Sequence, residues 1–487
     1  MNDYFSHETT YTYTDTGQVS TITAPGSKVW TYAYNALGQP TSVAIPNGMT
    51  TEYGYDTRNR LTKIEHKDGA SVLDGFTYAL DGGGNITRTT QADSSLWSYE
   101  YDGRGRLTKA ERYDTDGTTL LHRYSYTYDD GDNLLTKLVY DGTNTVTTAF
   151  AYTNANEQTS MAAGGTTVTM AYDAWGRMTS KTDGTYSASY AYRYGDKLGS
   201  VTSGFPGEGT VTYEYGGDQK RRERSVSGGD YAWYNWNAGW TVINEENSNG
   251  TLARTYVGRN RAHVAGTSPS TGDWKYYTHD NLGSSRSIWN ENKTAYATFE
   301  YTPYGALYAS SGTVSEITRR YTGHDWDTTS QVYFAPFRYY SPTTARWMSR
   351  DPLGMADGPN VYAYPRTPIT HGDRLGLLTN RQFMCNMWRE LYERKTGEYC
   401  KAKECNRDCL KTGWWPHYKC RVPGNEYFPP DPAPKPVEVE EPDFDPPDIA
   451  FQPAPQHVVL AALVAVFAFL AWLVSMMANA WPVVFVL

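Results

Sequence analysis

Two aspartates near residue 360 are the side chains best suited to chemistry. Asp351 and Asp373 each begin an Asp-x-x-Gly segment, DPLG and DRLG, and they lie 22 residues apart. Two carboxylates that meet in a fold cannot both ionise cheaply, so one of them keeps a proton. Such a pair supplies one general base and one general acid, which can activate water against a nearby peptide bond.

Arg350 directly precedes the first of these aspartates. A guanidinium at this position would either hold one carboxylate ionised or stabilise a developing oxyanion. The alternative is purely structural, because Asp-Pro-x-Gly is also an ordinary turn sequence in which the aspartates only cap loops. The histidines are scattered and fit no catalytic triad and no metal-ligand spacing. The residues therefore predict neither a metal site nor a cofactor.

Alternating aromatic residues predict the scaffold that must position this pair. The chain has 42 Tyr, 15 Trp, 14 Phe and 44 Gly, which favours strands and turns over helices. Ten anchor tyrosines recur every 20 to 27 residues, at Tyr13, Tyr34, Tyr55, Tyr78, Tyr101, Tyr128, Tyr152, Tyr172, Tyr194 and Tyr215. Eight of them are followed four residues later by Gly, Asn or Asp, which tolerate the positive φ of a tight hairpin. The pattern predicts stacked hairpins in one continuous sheet.

Three units carry the fullest form of this motif: residues 55–61 (YDTRNRL), 101–107 (YDGRGRL) and 172–178 (YDAWGRM). They resemble the YD repeats of bacterial RHS proteins, and residues 321–377 resemble the RHS-associated core domain of the same family. The resemblance implies an all-β fold in which the hairpin array spirals into a hollow shell. Ten repeats are few for this family, so an open sheet or partial shell is the alternative.

The family resemblance also implies an activity. In RHS proteins the matching positions cleave their own chain just after the second Asp-x-x-Gly motif. Carried over to this chain, the resemblance implies Asp351, Asp373 and Arg350 as catalytic residues and the bond from Leu377 to Leu378 as the cleavage site. It also implies a place among bacterial polymorphic toxins, with autoproteolysis releasing a variable C-terminal module.

Arg374 departs from the family pattern, in which the second motif is Asp-Pro-x-Gly. Loss of the proline frees φ and relaxes the turn. The added cation would also favour an ionised Asp373. The departure therefore predicts a disturbed sharing of the proton between the two aspartates.

The composition changes after residue 377, where all five cysteines occur within 36 residues. Their spacing is wider than the Cys-x-x-Cys knuckles of structural zinc sites. Two disulfides with one cysteine left over are predicted, with candidates Cys400, Cys405, Cys409 and Cys420. A zinc site that includes His417, and free thiols, are the alternatives.

The last part of the chain predicts a linker and a membrane anchor. Residues 429–457 are rich in proline and acidic side chains, which is typical of an extended spacer. Residues 458–479 are uncharged, predominantly apolar and long enough to cross a bilayer. They predict a single-pass helix, a lipid bilayer as partner, and location in the membrane or cell envelope, or secretion. No signal peptide is visible at the N-terminus.

The predicted domains follow these changes in composition. They are a repeat array (1–275), a core domain (276–377), a Cys-containing module (378–428), a linker (429–457), a transmembrane helix (458–479) and a tail (480–487).

Two functions of different classes fit the sequence. The first is an RHS shell scaffold that packages or presents its own C-terminal module and releases it by self-cleavage after Leu377. The second is a non-enzymatic, membrane-tethered surface protein whose sheet recognises a carbohydrate or protein ligand. The net charge of −9 argues against nucleic acid as a partner of the repeat array, since phosphate binding needs clustered basic side chains.

Overall fold

The structure is a computed structural model that describes residues 3–237, 240–258 and 261–377. Within these ranges the regular elements are 32 β-strands. Helical geometry in the same ranges is limited to four 3-10 turns, Pro25–Ser27, Val314–Glu316, Tyr321–Gly323 and Gly354–Asp357. The all-β fold predicted from the aromatic alternation is confirmed for this part of the chain.

The first 28 strands form one antiparallel sheet, the main sheet, in which each strand pairs with the next along the chain. Its strands are β1 (Thr10–Tyr13), β2 (Val19–Ala24), β3 (Lys28–Tyr34), β4 (Pro40–Ala44), β5 (Thr50–Tyr55), β6 (Leu61–Asp68), β7 (Ser71–Leu80), β8 (Ile86–Gln91), β9 (Leu96–Tyr101), β10 (Leu107–Tyr113), β11 (Leu120–Tyr128), β12 (Leu134–Tyr140), β13 (Thr145–Tyr152), β14 (Gln158–Ala163), β15 (Thr166–Tyr172), β16 (Met178–Thr182), β17 (Ser187–Arg193), β18 (Lys197–Ser203), β19 (Val211–Tyr215), β20 (Arg221–Val226), β21 (Tyr231–Trp236), β22 (Val242–Glu246), β23 (Leu252–Val257), β24 (Ala262–Ala265), β25 (Trp274–His279), β26 (Ser285–Trp289), β27 (Ala295–Tyr301) and β28 (Leu307–Gly312). The sequential pairing makes the sheet a meander of hairpins.

The Tyr-Asp units build the hairpin turns from local contacts. Oδ1 of Asp56 accepts the N–H of Arg60 at 2.9 Å, while Nε of Arg60 donates to Oδ2 of Asp56 at 2.8 Å. Between them Asn59 adopts a φ of 62°, as predicted for the turn position. The same pair of contacts recurs at Asp102 and Asp173. Each carboxylate therefore holds the residues that reverse the chain.

The anchor tyrosines connect neighbouring hairpins. The hydroxyl of Tyr55 donates to the carbonyl of Pro40 at 2.9 Å, and that of Tyr101 donates to the carbonyl of Ile86 at 2.7 Å. Their rings pack on the aromatic face that period-two alternation creates. A single hairpin could not bury this face, so each unit is stabilised by the next.

The main sheet coils until its late strands face its early ones. His66 of β6 contacts the carbonyl of His279 of β25 through Nε2 at 3.1 Å. Farther along, Nε of Arg112 in β10 donates to Oε1 of Glu300 in β27 at 2.7 Å. Buried side chains from both parts of the sheet share one hydrophobic cluster. The coiled sheet thus encloses its own aromatic face.

A second, four-stranded antiparallel sheet, the core sheet, packs against this aromatic face. Its strands are β29 (Asp325–Asp327), β30 (Val332–Phe334), β31 (Tyr339–Ser341) and β32 (Arg346–Trp347). The hydroxyl of Tyr333 donates to the carbonyl of Gly305 at 2.9 Å, and that of Tyr340 donates to the carbonyl of Tyr304 at 2.8 Å. The buried tyrosines thus fasten the core sheet to the turn that follows β27.

The described residues contradict the predicted membrane localisation. No helix among them is long and apolar enough to cross a bilayer, because the 3-10 turns have three or four residues where a spanning helix needs about 20. Residues 458–479, which carried that prediction, lie outside the described residues. So do the linker and the Cys-containing module with its disulfide candidates.

Candidate active site

Three loops that leave the core sheet converge on one buried point. Arg338 lies in the turn between β30 and β31, where the N–H of Ala335 donates to the carbonyl of Arg338 at 3.0 Å. Asp351 follows β32, and its N–H donates to the carbonyl of Val361 at 2.9 Å. Asp373 begins the last described loop. The folding of the core sheet brings these three side chains together.

The guanidinium of Arg338 contacts both aspartates through a single nitrogen. Its Nη2 lies 2.7 Å from Oδ2 of Asp351 and 3.0 Å from Oδ2 of Asp373. All three residues are buried, with exposed fractions of 3, 8 and 2%. The chain between the two Asp-x-x-Gly segments therefore folds back, and the two carboxyl groups contact one guanidinium.

The same guanidinium holds the carbonyl at the predicted cleavage site. Nη2 of Arg338 donates to the carbonyl oxygen of Leu377 at 2.7 Å, and Nε donates to that of Gly376. The N–H groups of Gly376 and Leu377 donate in turn to Oδ1 of Asp373, at 2.9 and 3.0 Å. The carbonyl side of the predicted scissile bond is thus in place, while Leu378 lies outside the described residues.

The two carboxyl groups have different environments. Burial raises the pKa of Asp373 above its ordinary value, outweighing the opposing effects of Arg338 and of the Leu377 and Gly376 amides. Asp351 is less enclosed, and its Oδ1 accepts the N–H of Leu353 at 2.8 Å. Oδ2 of Asp351 lies 2.7 Å from Nη2 of Arg338. The two carboxyl groups therefore differ in enclosure and in the backbone groups that surround them.

Arg350 points away from the aspartates. Its Nη2 donates to Oε1 of Glu157 at 2.9 Å, and its Nε donates to the hydroxyl of Tyr362 at 3.2 Å. That hydroxyl donates to the carbonyl of Gly176 at 2.6 Å. The arginine that contacts both aspartates is Arg338 and not the adjacent Arg350, because adjacency along the chain does not determine side-chain direction. Arg350 instead joins the first Asp-x-x-Gly turn to the main sheet.

Arg338 was missed, although the sequence carries a signal for it. It is a lone arginine within the aromatic run from residue 332 to residue 340. An arginine in so apolar a segment is buried only when its charge is paired. The run therefore signals a buried partner of opposite charge, which Asp351 and Asp373 supply.

The second turn forms with arginine in place of the family's proline. Gly376 has a φ of 74°, and Oδ1 of Asp373 collects two backbone N–H groups across the turn. The largest charge effect on the pKa of Asp373 comes from Arg338. The geometry of this turn thus comes from the carboxylate and the glycine.

A buried histidine, His324, contacts the main chain of the second Asp-x-x-Gly turn. Nε2 of His324 contacts the main-chain oxygen of Asp373 at 2.9 Å, and Nδ1 contacts Oγ1 of Thr322 at 2.7 Å. His324 is buried, with an exposed fraction of 1%. Because the carbonyl oxygen only accepts, Nε2 carries a proton. His324 therefore positions the turn through its main chain.

Comparison with known proteins finds sequence relatives that are named as toxins. The RHS Repeat family model matches residues 13–48, 34–71 and 81–119. "Toxin subunit YenC2" from Yersinia entomophaga is 36% identical over 95 residues, or 18% of this chain and 10% of that protein. "Double-stranded DNA deaminase toxin A" from Burkholderia cenocepacia is 25% identical over 311 residues, or 62% of this chain and 19% of that protein. The chain thus spans at most about a fifth of these two relatives.

The solved structures that match share the fold. The Photorhabdus luminescens Tc holotoxin pore matches with a TM-score of 0.61 and 21% identity, covering 76% of this chain and 21% of that chain. A TcdB2–TccC3 structure "without hypervariable C-terminal region" matches with a TM-score of 0.56, 21% identity and the same coverages. The 28-stranded antiparallel sheet is thus similar in fold to these Tc toxin structures. The three matches to the family model show that the chain contains RHS repeats.

Proposed function

We propose that this chain is an RHS shell scaffold for its own C-terminal module and that it cleaves itself between Leu377 and Leu378. One observation carries the proposal. The guanidinium that touches both Asp351 and Asp373 also donates to the carbonyl oxygen of Leu377, at 2.7 Å. A turn-capping role for the aspartates would not require a carbonyl group at this point.

The reaction is hydrolysis of one peptide bond. Ionised Asp351 takes a proton from a water molecule, whose oxygen bonds to the carbonyl carbon of Leu377. Protonated Asp373 then gives its proton to the nitrogen of Leu378, and the carbon–nitrogen bond breaks. The products are a carboxyl group on Leu377 and an amine on Leu378. General acid–base catalysis of this kind contributes roughly 10²- to 10⁴-fold.

The substrate is part of the site. Leu377 is buried, with an exposed fraction of 7%, and its N–H and carbonyl groups are both held by site residues. Positioning the carbonyl in advance removes much of the entropic cost of bringing reactants together. Each chain would therefore cleave once, in cis.

The scaffold role rests on the fold and on the relatives. The coiled main sheet and the core sheet occupy residues 10–347, ahead of the proposed cleavage site, and the matched relatives carry toxin names. One matched structure is described as lacking a hypervariable C-terminal region. We therefore assign residues 378–487 as the released module, with its predicted division into a Cys-containing part, a linker and an apolar segment.

The test is expression of the full chain with a different tag at each end. We expect the wild type to yield two fragments that meet at Leu377, identified by mass spectrometry. D351N and D373N should remain full length. An intact wild-type chain that is folded would refute self-cleavage and leave only the scaffold role.

The chain offers a matched control for these variants. Asp280 begins another Asp-x-x-Gly turn, and its Oδ1 accepts the N–H groups of Leu282 and Ser284 at 2.9 and 3.0 Å. Burial raises the pKa of Asp280 too, but the described contacts of this turn do not include the carbonyl of Leu377. We expect D280N to cleave as the wild type does.

A further inference from the structure

A repeated contact joins hairpin turns along one edge of the main sheet. The side chain five residues after an anchor tyrosine donates to a main-chain carbonyl of the next turn on that edge. Arg60, for example, follows Tyr55 and donates to the carbonyl of Asp81 at 2.7 Å. The donor and acceptor residues of these contacts are Gln39 with Asn59, Arg60 with Asp81, Arg106 with Asp129, Arg177 with Gly195 and Lys220 with Asn237. These side chains fasten neighbouring turns to one another.

Lys197 has the same place in its hairpin but a different acceptor. It lies five residues after Tyr192, whose hydroxyl donates to the carbonyl of Met178 at 2.9 Å, as the hydroxyls of the anchor tyrosines do. Nζ of Lys197 donates at 2.9 Å to the carbonyl of Pro336. Pro336 belongs to the turn between β30 and β31, residues 335–338, which we call the core turn. Lys197 thus joins the main sheet to the core sheet.

The core turn borders the proposed cleavage site. The N–H of Phe337 donates to the carbonyl of Leu375 at 3.0 Å, and Arg338 donates to the carbonyl of Leu377 at 2.7 Å. On its other side, the ring of Phe337 lies 4.6 Å from Nζ of Lys197, measured to the ring centroid. The core turn therefore lies between Lys197 and the last residues before the proposed scissile bond.

Burial makes the contact of Lys197 with Pro336 hard to replace. Lys197 has an exposed fraction of 6%, and desolvation lowers its pKa to about 8. A buried donor that loses its acceptor carries the cost of its own desolvation. Movement of the core turn away from β18 would leave the amine in this state. The lysine therefore restricts where the core turn can lie.

We infer that Lys197 is a positioning residue for the proposed cleavage, which acts by fixing the core turn against the main sheet. The inference rests on the proposed self-cleavage. It gives one repeat unit a part in the reaction, in addition to its part in the shell.

The test compares K197M and K197Q with the wild type. Each chain is made in a cell-free reaction, and full-length chain is followed over time. Methionine keeps an apolar side chain but has no donor, whereas glutamine keeps a donor, as Gln39 does at the equivalent position. We expect cleavage to slow by about tenfold or more in K197M, because a small displacement of the scissile carbonyl is costly. K197Q should stay near the wild-type rate.

Lys220 provides a matched control. It has the same exposed fraction of 6%, and its Nζ donates at 2.7 Å to the carbonyl of Asn237, which belongs to the main sheet's own turns. K220M therefore removes a buried amine of the same kind whose hydrogen bond stays within the main sheet. We expect K220M to cleave at the wild-type rate.

Folding is measured on the same samples by thermal unfolding and limited proteolysis. A folded K197M that cleaves at the wild-type rate would overturn the inference while leaving self-cleavage intact, and so would a folded K220M as slow as K197M. If K197M does not fold, or if K197Q is as slow as K197M, the donor of Lys197 does not position the site and the inference also fails. A folded wild type that never cleaves would refute the proposed function itself, so the two failures are distinguishable.

Discussion

The two Asp-x-x-Gly turns of the site share a sequence pattern but have different surroundings. In the first, residues 351–354, Leu353 has an exposed fraction of 42%, and a side chain on Gly354 would meet open space. In the second, residues 373–376, a Cβ on Gly376 would lie 3.0 Å from the backbone nitrogen of Arg338. One turn borders the surface and the other is enclosed.

This difference gives the two aspartates different surroundings. The enclosed carboxyl of Asp373 has a raised pKa because burial penalises its charged form. Oδ2 of Asp351 lies 2.7 Å from Nη2 of Arg338, and its Oδ1 accepts the N–H of Leu353. The proposed acid role of Asp373 and the proposed base role of Asp351 rest on this difference.

The largest effect that we expect from the difference between the two turns is the pH dependence of cleavage. Burial raises the pKa of Asp373 above 3.8, so the folded chain binds this proton more tightly than the unfolded chain. As pH rises from 3.8 through the raised pKa, the free energy of unfolding falls, and the acid needed for cleavage is lost. We expect the rate to drop about tenfold per pH unit above that pKa, measured on cell-free product diluted into a series of buffers.

Two outcomes would bear on that expectation. D280N removes a similar buried carboxyl and should leave the descending limb of the cleavage profile where it is. A rate that is constant or rises across this window would mean that Asp373 is not the acid. The difference in burial between the two turns would then not explain how the two aspartates act.

The glycines test the enclosure of the second turn directly. G376A and G354A both place a side chain at positive φ, which costs about 1–2 kcal/mol. Only G376A also pushes against Arg338 and Ala335, at 3.0 and 3.1 Å. We expect cleavage to slow by at least about tenfold in G376A and by less in G354A, as measured by the time course of full-length chain. Equal slowing of cleavage in the two variants would show that the second turn is no more tightly enclosed than the first.

Arg350 tests how the first turn is attached to the main sheet. Its ion pair with Glu157 is partly exposed, with a side-chain exposed fraction of 41% for Arg350, so its loss should cost no more than about 1 kcal/mol. We expect R350Q to fold and to cleave several-fold more slowly, through displacement of Asp351. Complete loss of cleavage in a folded R350Q would instead support the catalytic role that the family resemblance implies for Arg350.

The smallest effect is expected from R374P, which restores the family's residue in the second turn. The turn is already closed by Oδ1 of Asp373. Proline would therefore stabilise the folded chain only by restricting the unfolded chain, which contributes about 0.4–1 kcal/mol. We expect cleavage to change by less than about fivefold. A large gain in rate would instead identify Arg374 as the reason for slow cleavage in this chain.

Much of the fold could be predicted because its contacts are local. In a Tyr-Asp unit the carboxylate, the turn residue and the returning arginine lie within four residues of one another. Alternating aromatics then indicate which face is buried. The membrane localisation is contradicted by the described residues, none of whose helices could cross a bilayer, and the apolar stretch that predicted it lies outside them.

The sequence by itself determined the repeat, the residues that form the hairpin turns, and the two Asp-x-x-Gly motifs whose aspartates were predicted to meet. Only the tertiary structure decided that Arg338 pairs with them and holds the carbonyl of Leu377, 39 residues farther along the chain. It also decided that Arg350 lies elsewhere and that the two turns differ in burial. Such contacts depend on how the core sheet packs inside the coil. Local propensity carries no information about that packing, so the site becomes visible only in the folded chain.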